Sequence, residues 1–181
     1  MISAKPDKIS MNKLVAFFAF VFFLSSCKKN ITELPGAPGT GSEIFGASVN
    51  GKLWTPQKFG VVPSAQILEA RYEPGNSVVI NARNFASSPK ESEFELRLKS
   101  IAGPGVYILG GDSENSAYYV ERKITPTDEW KTDQQYTGSV TITVDDRTKK
   151  ILAGSFQFQA ASLYGNAPIT VTDGRFDMKV Q

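Results

Sequence analysis

The chain has 181 residues, 20 Lys+Arg against 18 Asp+Glu, no His and a single Cys. Without His there is no Ser-His-Asp or Cys-His nucleophile system and no imidazole ligand for zinc or copper, and one Cys permits neither an internal disulfide nor a thiolate cluster. A net charge of +2 gives no strong pull toward nucleic acid, and the length suits one domain.

Residues 14–24, LVAFFAFVFFL, are eleven apolar residues without a break. A membrane span needs about 18 or more, whereas a secretory core needs only about 7 to 15 after a positive segment. Lys5, Lys8 and Lys13 supply that charge, opposed by Asp7. Met11 offers a second start, so Met1 and Met11 both stay open. The run ends at Leu24-Ser25-Ser26-Cys27. This resembles the lipobox of bacterial lipoproteins, an aliphatic residue and two small residues before the cysteine that takes the lipid. The resemblance implies a signal peptide over 1–26, cleavage before Cys27, and diacylglycerol on its sulfur with acylation of the new amino group. Two or more acyl chains anchor stably, at about 0.8 kcal/mol per buried methylene. Lys28 and Lys29 follow, with neither the Asp that resembles an inner-membrane retention signal nor an acidic tract resembling an export signal. The expected location is the outer membrane, facing the periplasm, with the membrane as partner through the lipid.

From Lys28 to Ser42 the chain is KKNITELPGAPGTGS, without periodicity. The expectation is a lipidated Cys and flexible tether over 27–42. Gly36, Gly39 and Gly41 fit neither the P-loop nor the dinucleotide-binding spacing, and no strand precedes them.

From Glu43 onward a period of two dominates, which predicts a single β-domain over 43–181. Asn50-Gly51 is a strong hairpin signal and Glu73-Pro74-Gly75-Asn76 reads as a turn. Strands are expected over 66–72, 77–85, 93–99, 106–109, 117–124, 136–144, 151–160, 169–171 and 175–180. Val140, Ile142 and Val144 are expected on one face, and Thr172-Asp173-Gly174 is expected to form a bend or bulge. Thr125 to Gln135 reads as a polar loop, with a short helix capped near Thr127-Asp128-Glu129-Trp130. About ten antiparallel strands imply an all-β sandwich, and a closed meander barrel satisfies the same alternation.

The blocks Ala47–Trp54, Tyr136–Ile142, Gly154–Phe158 and Thr172–Asp177 resemble an uncharacterised family of secreted or lipid-anchored proteins of bacteroidete-type bacteria. The resemblance spans most of 44–180. It implies a fold and carries no catalytic residues.

Trp54 reads as a core residue beside a hairpin. Trp130, in the expected loop, together with Tyr118, Tyr119 and Tyr164 near strand ends, are the candidate ligand-binding aromatics. Glu91, Glu93, Glu95, Arg97 and Lys99 read as a solvated face. The acidic stretches Gly110–Asn115 and Asp145-Asp146 lack EF-hand spacing. Ser87-Ser88-Pro89-Lys90 contains Ser-x-x-Lys without its companion motifs. No catalytic residue, metal site or cofactor is assigned. The expected function is non-catalytic: an anchored β-domain that binds an envelope protein or glycan, or is structural. A hydrolase acting on glycans through two carboxylates and a carrier of small apolar ligands are the alternatives. Three bases and one acid precede Cys27, so the remainder has 17 of each and no net charge.

Overall fold

A computed structural model of the chain describes residues 33–58, 66–87, 90–122 and 126–181. Asn50 (φ 47°) and Gly51 (φ 76°) both take left-handed backbone, as a two-residue I′ turn requires. They join β1 (Ile44–Val49) to β2 (Lys52–Trp54), with Val49 opposite Lys52. Gly75 and Asn76, also at positive φ, turn β3 (Leu68–Glu73) into β4 (Ser77–Ser87). β5 (Lys90–Leu98) alternates as its sequence predicts, with Phe94, Leu96 and Leu98 buried and Glu93, Glu95 and Arg97 on the other side. The remaining strands are β6 (Gly105–Leu109), β7 (Ser116–Arg122), β8 (Pro126–Lys131), β9 (Gly138–Asp146), β10 (Ile151–Ser162) and β11 (Ile169–Lys179). Among the described residues no helix is long and apolar enough to cross a membrane.

The strands form one open antiparallel sheet in the order β2-β1-β11-β10-β8-β7-β5-β4-β3, with β9 on β10 and β6 on β9 as a branch. β10 is what folds this sheet into two layers. Its first ten residues pair with β9 and β11, whereas Ala161 and Ser162 pair with β8. One layer is therefore β6-β9-β10-β11-β1-β2 and the other β8-β7-β5-β4-β3. Isolated parallel bridges, Ala70 to Val180 just past β11 and Gln57 to Asn84, touch the layers together without becoming ladders. The sandwich expectation holds, and the closed barrel is excluded.

Between the layers lies a core of aromatic rings. Phe94 is central: its ring meets Trp54 at 4.7 Å, Tyr119 at 4.8 Å, Phe45 at 5.6 Å, Phe156 at 6.0 Å and Phe158 at 6.2 Å. Most of these pairs are edge-on or tilted, the arrangement that ring quadrupoles favour. Trp54, read as a core residue, is one, and its indole N–H donates to Ser92 Oγ at 2.8 Å.

Three local expectations are corrected. Residues 126–131 are neither loop nor helix; they are β8, paired to β7 on one side and the end of β10 on the other. The alternation is hidden because an acid, Asp128, faces inward beside Trp130, and both are buried. Val144 leaves the face of Val140 and Ile142. Ile142 sits opposite Gly154 but Val144 opposite Ala153, so one extra residue on β9 reverses the pleat there. Residues 169–179 form one strand, bulged at the expected place. Gly46 opposes Arg175 while Ser48 opposes Thr172, and Phe156 opposes Gly174 while Phe158 opposes Val171. The left-handed residue of this bulge is Asp173 (φ 55°). Gly174 serves space instead: a Cβ there would lie 2.5 Å from the Phe156 ring.

Candidate functional site

The sequence places the lipidation motif at Leu24, Ser25, Ser26 and Cys27. These lie outside the described residues, as do Lys28, Lys29 and the Ser88-Pro89 pair of the Ser-x-x-Lys stretch.

The four candidate aromatics are not gathered on one surface. Tyr119 and Trp130 face inward as a cross-strand pair, with ring centroids 5.7 Å apart, and the Trp130 indole donates to the Ala167 carbonyl at 2.9 Å. Burial, followed by the charge of Glu121, raises the Tyr119 phenol above its ordinary range. Tyr118 points to the opposite face, with the Lys131 ammonium 4.9 Å from its ring centre. Tyr164 is exposed in the loop between β10 and β11.

Two outward faces differ sharply in chemistry. On the β3-β4-β5-β7 layer, acids meet arginines two residues along the same strand and across to the next strand. Arg71 meets Glu69 at 2.8 Å and Glu73 at 3.2 Å; Arg83 meets Glu93 at 3.0 Å; Arg97 meets Glu95 at 2.7 Å; Arg122 meets Glu93 at 3.6 Å. These hydrogen bonds, first Glu69 for Arg71 and Glu95 for Arg97, raise both guanidinium pKa values further. Each exposed pair contributes about 0–1 kcal/mol, and alternating charge also discourages edge pairing at β3. The Glu91–Lys99 stretch is thus part of a lattice of paired acids and arginines.

The β6-β9-β10 part of the other layer turns uncharged side chains outward, while Arg175 and Lys179 of β11 share that face. Thr141 opposes both Val106 and Ser155, and Ser139 opposes both Ile108 and Gln157. Val106 and Ile108 are 64% and 54% exposed on β6.

At one end of this second face lies a feature that the sequence reading missed. Asp177 is completely buried although it points away from the aromatic core. Its carboxylate accepts three backbone N–H bonds, from Gly39 at 3.0 Å, Thr40 at 3.0 Å and Gly41 at 2.6 Å. Positive φ at Gly39 (77°) and Gly41 (73°) turns the three amides inward, an anion-binding nest. Gly39 approaches Val144, Gly41 approaches Lys179, and Leu34 lies over Gly46, where a Cβ would be 2.9 Å from the leucine methyl. Glu43 then accepts the Lys179 amide at 2.9 Å. The segment 34–43 is thus a strap across the outer side of β1, β11 and β9. The Gly-rich stretch does cradle an anion, but the anion belongs to the protein.

A second buried acid, Asp128, is similarly occupied. It accepts from Ser162 Oγ at 2.7 Å, from the Glu129 amide at 2.9 Å and from Asn166 Nδ2. At the opposite sheet edge, Tyr72 donates to Asp145 Oδ1 at 2.6 Å beneath the Arg147 guanidinium, which lies 3.7 Å from the ring centre. This pins the β3–β4 hairpin to the β9–β10 hairpin. Burial, then the Asp145 hydrogen bond, pushes the Tyr72 phenol upward. Among the described residues no group of three or more Cys, Asp or Glu is arranged to hold a metal ion.

No curated protein and no solved structure matches the chain. Residues 42–179, from the end of the strap through β11, match the Domain of unknown function (DUF6252), and the chain belongs to that family.

Proposed function

We propose that the chain is a lipid-anchored protein of a bacterial cell envelope, held at Cys27 and carrying a β-domain that binds a partner or serves a structural role without catalysis. The observation that carries the anchor is Leu24-Ser25-Ser26-Cys27 directly after the apolar run 14–24. That run is too short to span a membrane and long enough for a secretory core. The outer membrane, facing the periplasm, is the location consistent with the residues after Cys27.

The occupation of the acids supports a non-catalytic domain. A general acid or a carboxylate nucleophile must be open to substrate across a cleft. Asp177 and Asp128 are committed to internal hydrogen bonds, and Glu69, Glu73, Glu93 and Glu95 are committed to arginines.

The test is Cys27→Ser in a lipoprotein-processing bacterium fed labelled palmitate. The variant should accumulate at precursor size without label. A labelled variant of mature size overturns the anchor.

A further inference from the structure

We infer that the uncharged outer face of the β6-β9-β10 layer is a membrane-docking surface, lying against the lipid headgroups of the bilayer that holds Cys27. The inference rests on the lipid-anchor reading and adds an orientation to it.

Chain length carries the first part. Five residues separate Cys27 from Glu33, and fully extended the six steps between them reach about 20 Å. The strap then crosses the outer side of this layer, with Leu34 over Gly46 and the Gly39–Gly41 amides fixed on Asp177. The chain therefore leaves the domain on this face. Turning the opposite layer toward the bilayer would mean leading those five residues around the edge. Two sheets packed about 10 Å apart, with outer side chains, consume most of the reach before any lateral run. Had 34–43 been slack, the domain could turn freely.

Surface chemistry carries the second part. Ser139, Thr141, Ser155 and Gln157 offer hydroxyls and amides that hydrogen-bond to phosphate and ester oxygens, and Arg175, opposite Ser155 on β11, adds a cation suited to phosphate. Val106 and Ile108 project beside them from the edge strand and supply apolar area to the headgroup boundary. The opposite face carries the arginine–glutamate lattice, which is suited to water. Lys28 and Lys29, between the lipid and the strap, suit anionic headgroups.

The test uses the full lipidated protein in phosphatidylcholine vesicles containing a headgroup-spin-labelled lipid. With Cys27 blocked by its lipid, a single introduced cysteine can be labelled with a fluorophore. Ser139→Cys and Gln157→Cys report the proposed face, and Glu73→Cys and Arg122→Cys report the opposite one. Labels at 139 and 157 should be quenched several-fold more than those at 73 and 122. Equal quenching, or stronger quenching at 73 and 122, in protein that co-floats with vesicles overturns the docking face and leaves the anchor standing. An N-terminal peptide without lipid mass overturns both.

Discussion

Asp177→Ala removes the single acceptor shared by the three amides of the strap. Hydrogen bonds to a charged group are worth about 1.5–3 kcal/mol each. The three are not equally dependent on Asp177. The Gly39 and Thr40 amides are partly exposed and can take water once the strap lifts, whereas the Gly41 bond is buried. One full bond and a fraction of two others give a loss of about 3 kcal/mol. At roughly 2–4 °C per kcal/mol for a domain of this size, the melting temperature should fall by about 6–12 °C. The more specific reading is hydrogen exchange. If the strap opens locally, the amides of 39–41 should exchange roughly a hundredfold faster while β5 and β7 amides keep their protection. Asp177→Asn, which keeps one oxygen in place, should recover part of the loss. Unchanged exchange at 39–41 and a melting temperature within about one degree of the parent would refute the claim that this carboxylate fastens the strap.

Phe94→Ala should cost about 3–5 kcal/mol in denaturant titrations, because five neighbouring rings surround the space it vacates; a loss under about 1 kcal/mol would mean that the layers re-close without it. Tyr72 and Tyr119, whose phenols are raised by burial first, should stay un-ionised by ultraviolet absorbance at a pH of about 10, where a free tyrosine is half ionised. The sign follows from linkage: a raised folded pKa stabilises fully below the unfolded value, and that contribution is lost as pH climbs past about 10. Tyr72→Phe should therefore make stability fall less steeply at alkaline pH, and an unchanged slope would count against the Tyr72–Asp145 contact.

How legible the fold was depended on how far the period of two ran undisturbed. The Asn50-Gly51 hairpin and the inward sets Phe94-Leu96-Leu98 and Phe156-Phe158-Ala160 were readable because nothing interrupts them. Thr172-Asp173-Gly174 announced a bulge, although its left-handed residue is the aspartate. Val144 was misread because one extra residue on β9 reverses the pleat, and a bulge of that kind carries no glycine or proline to mark it. Trp130 was misread because Asp128 points inward, and the side chains that help satisfy it there, Ser162 and Asn166, lie more than thirty residues downstream. The strap was illegible for the same reason. Gly39, Thr40 and Gly41 are flexible by composition, and the carboxylate that orders them lies far along the chain.

The pairing of β1 with β11 bears on the order in which this molecule is made. A chain grows from its N-terminus at about 5–20 residues per second. When Ile44 emerges, its partner Asp177 is more than a hundred residues from being synthesised. β1 can form only the three-residue hairpin with β2 in the meantime, and an isolated short hairpin is marginal in water. The strap must wait as well, since its acceptor sits on the same late strand. The β3-β4-β5-β7 ladder, whose strands are close in sequence with β6 alone interposed, can assemble early, while the other layer closes only after β10 and β11 arrive. Early proteolysis or truncation within β11 should therefore leave one ordered half-sandwich with its aromatic face uncovered, a species prone to self-association until the final strand is added.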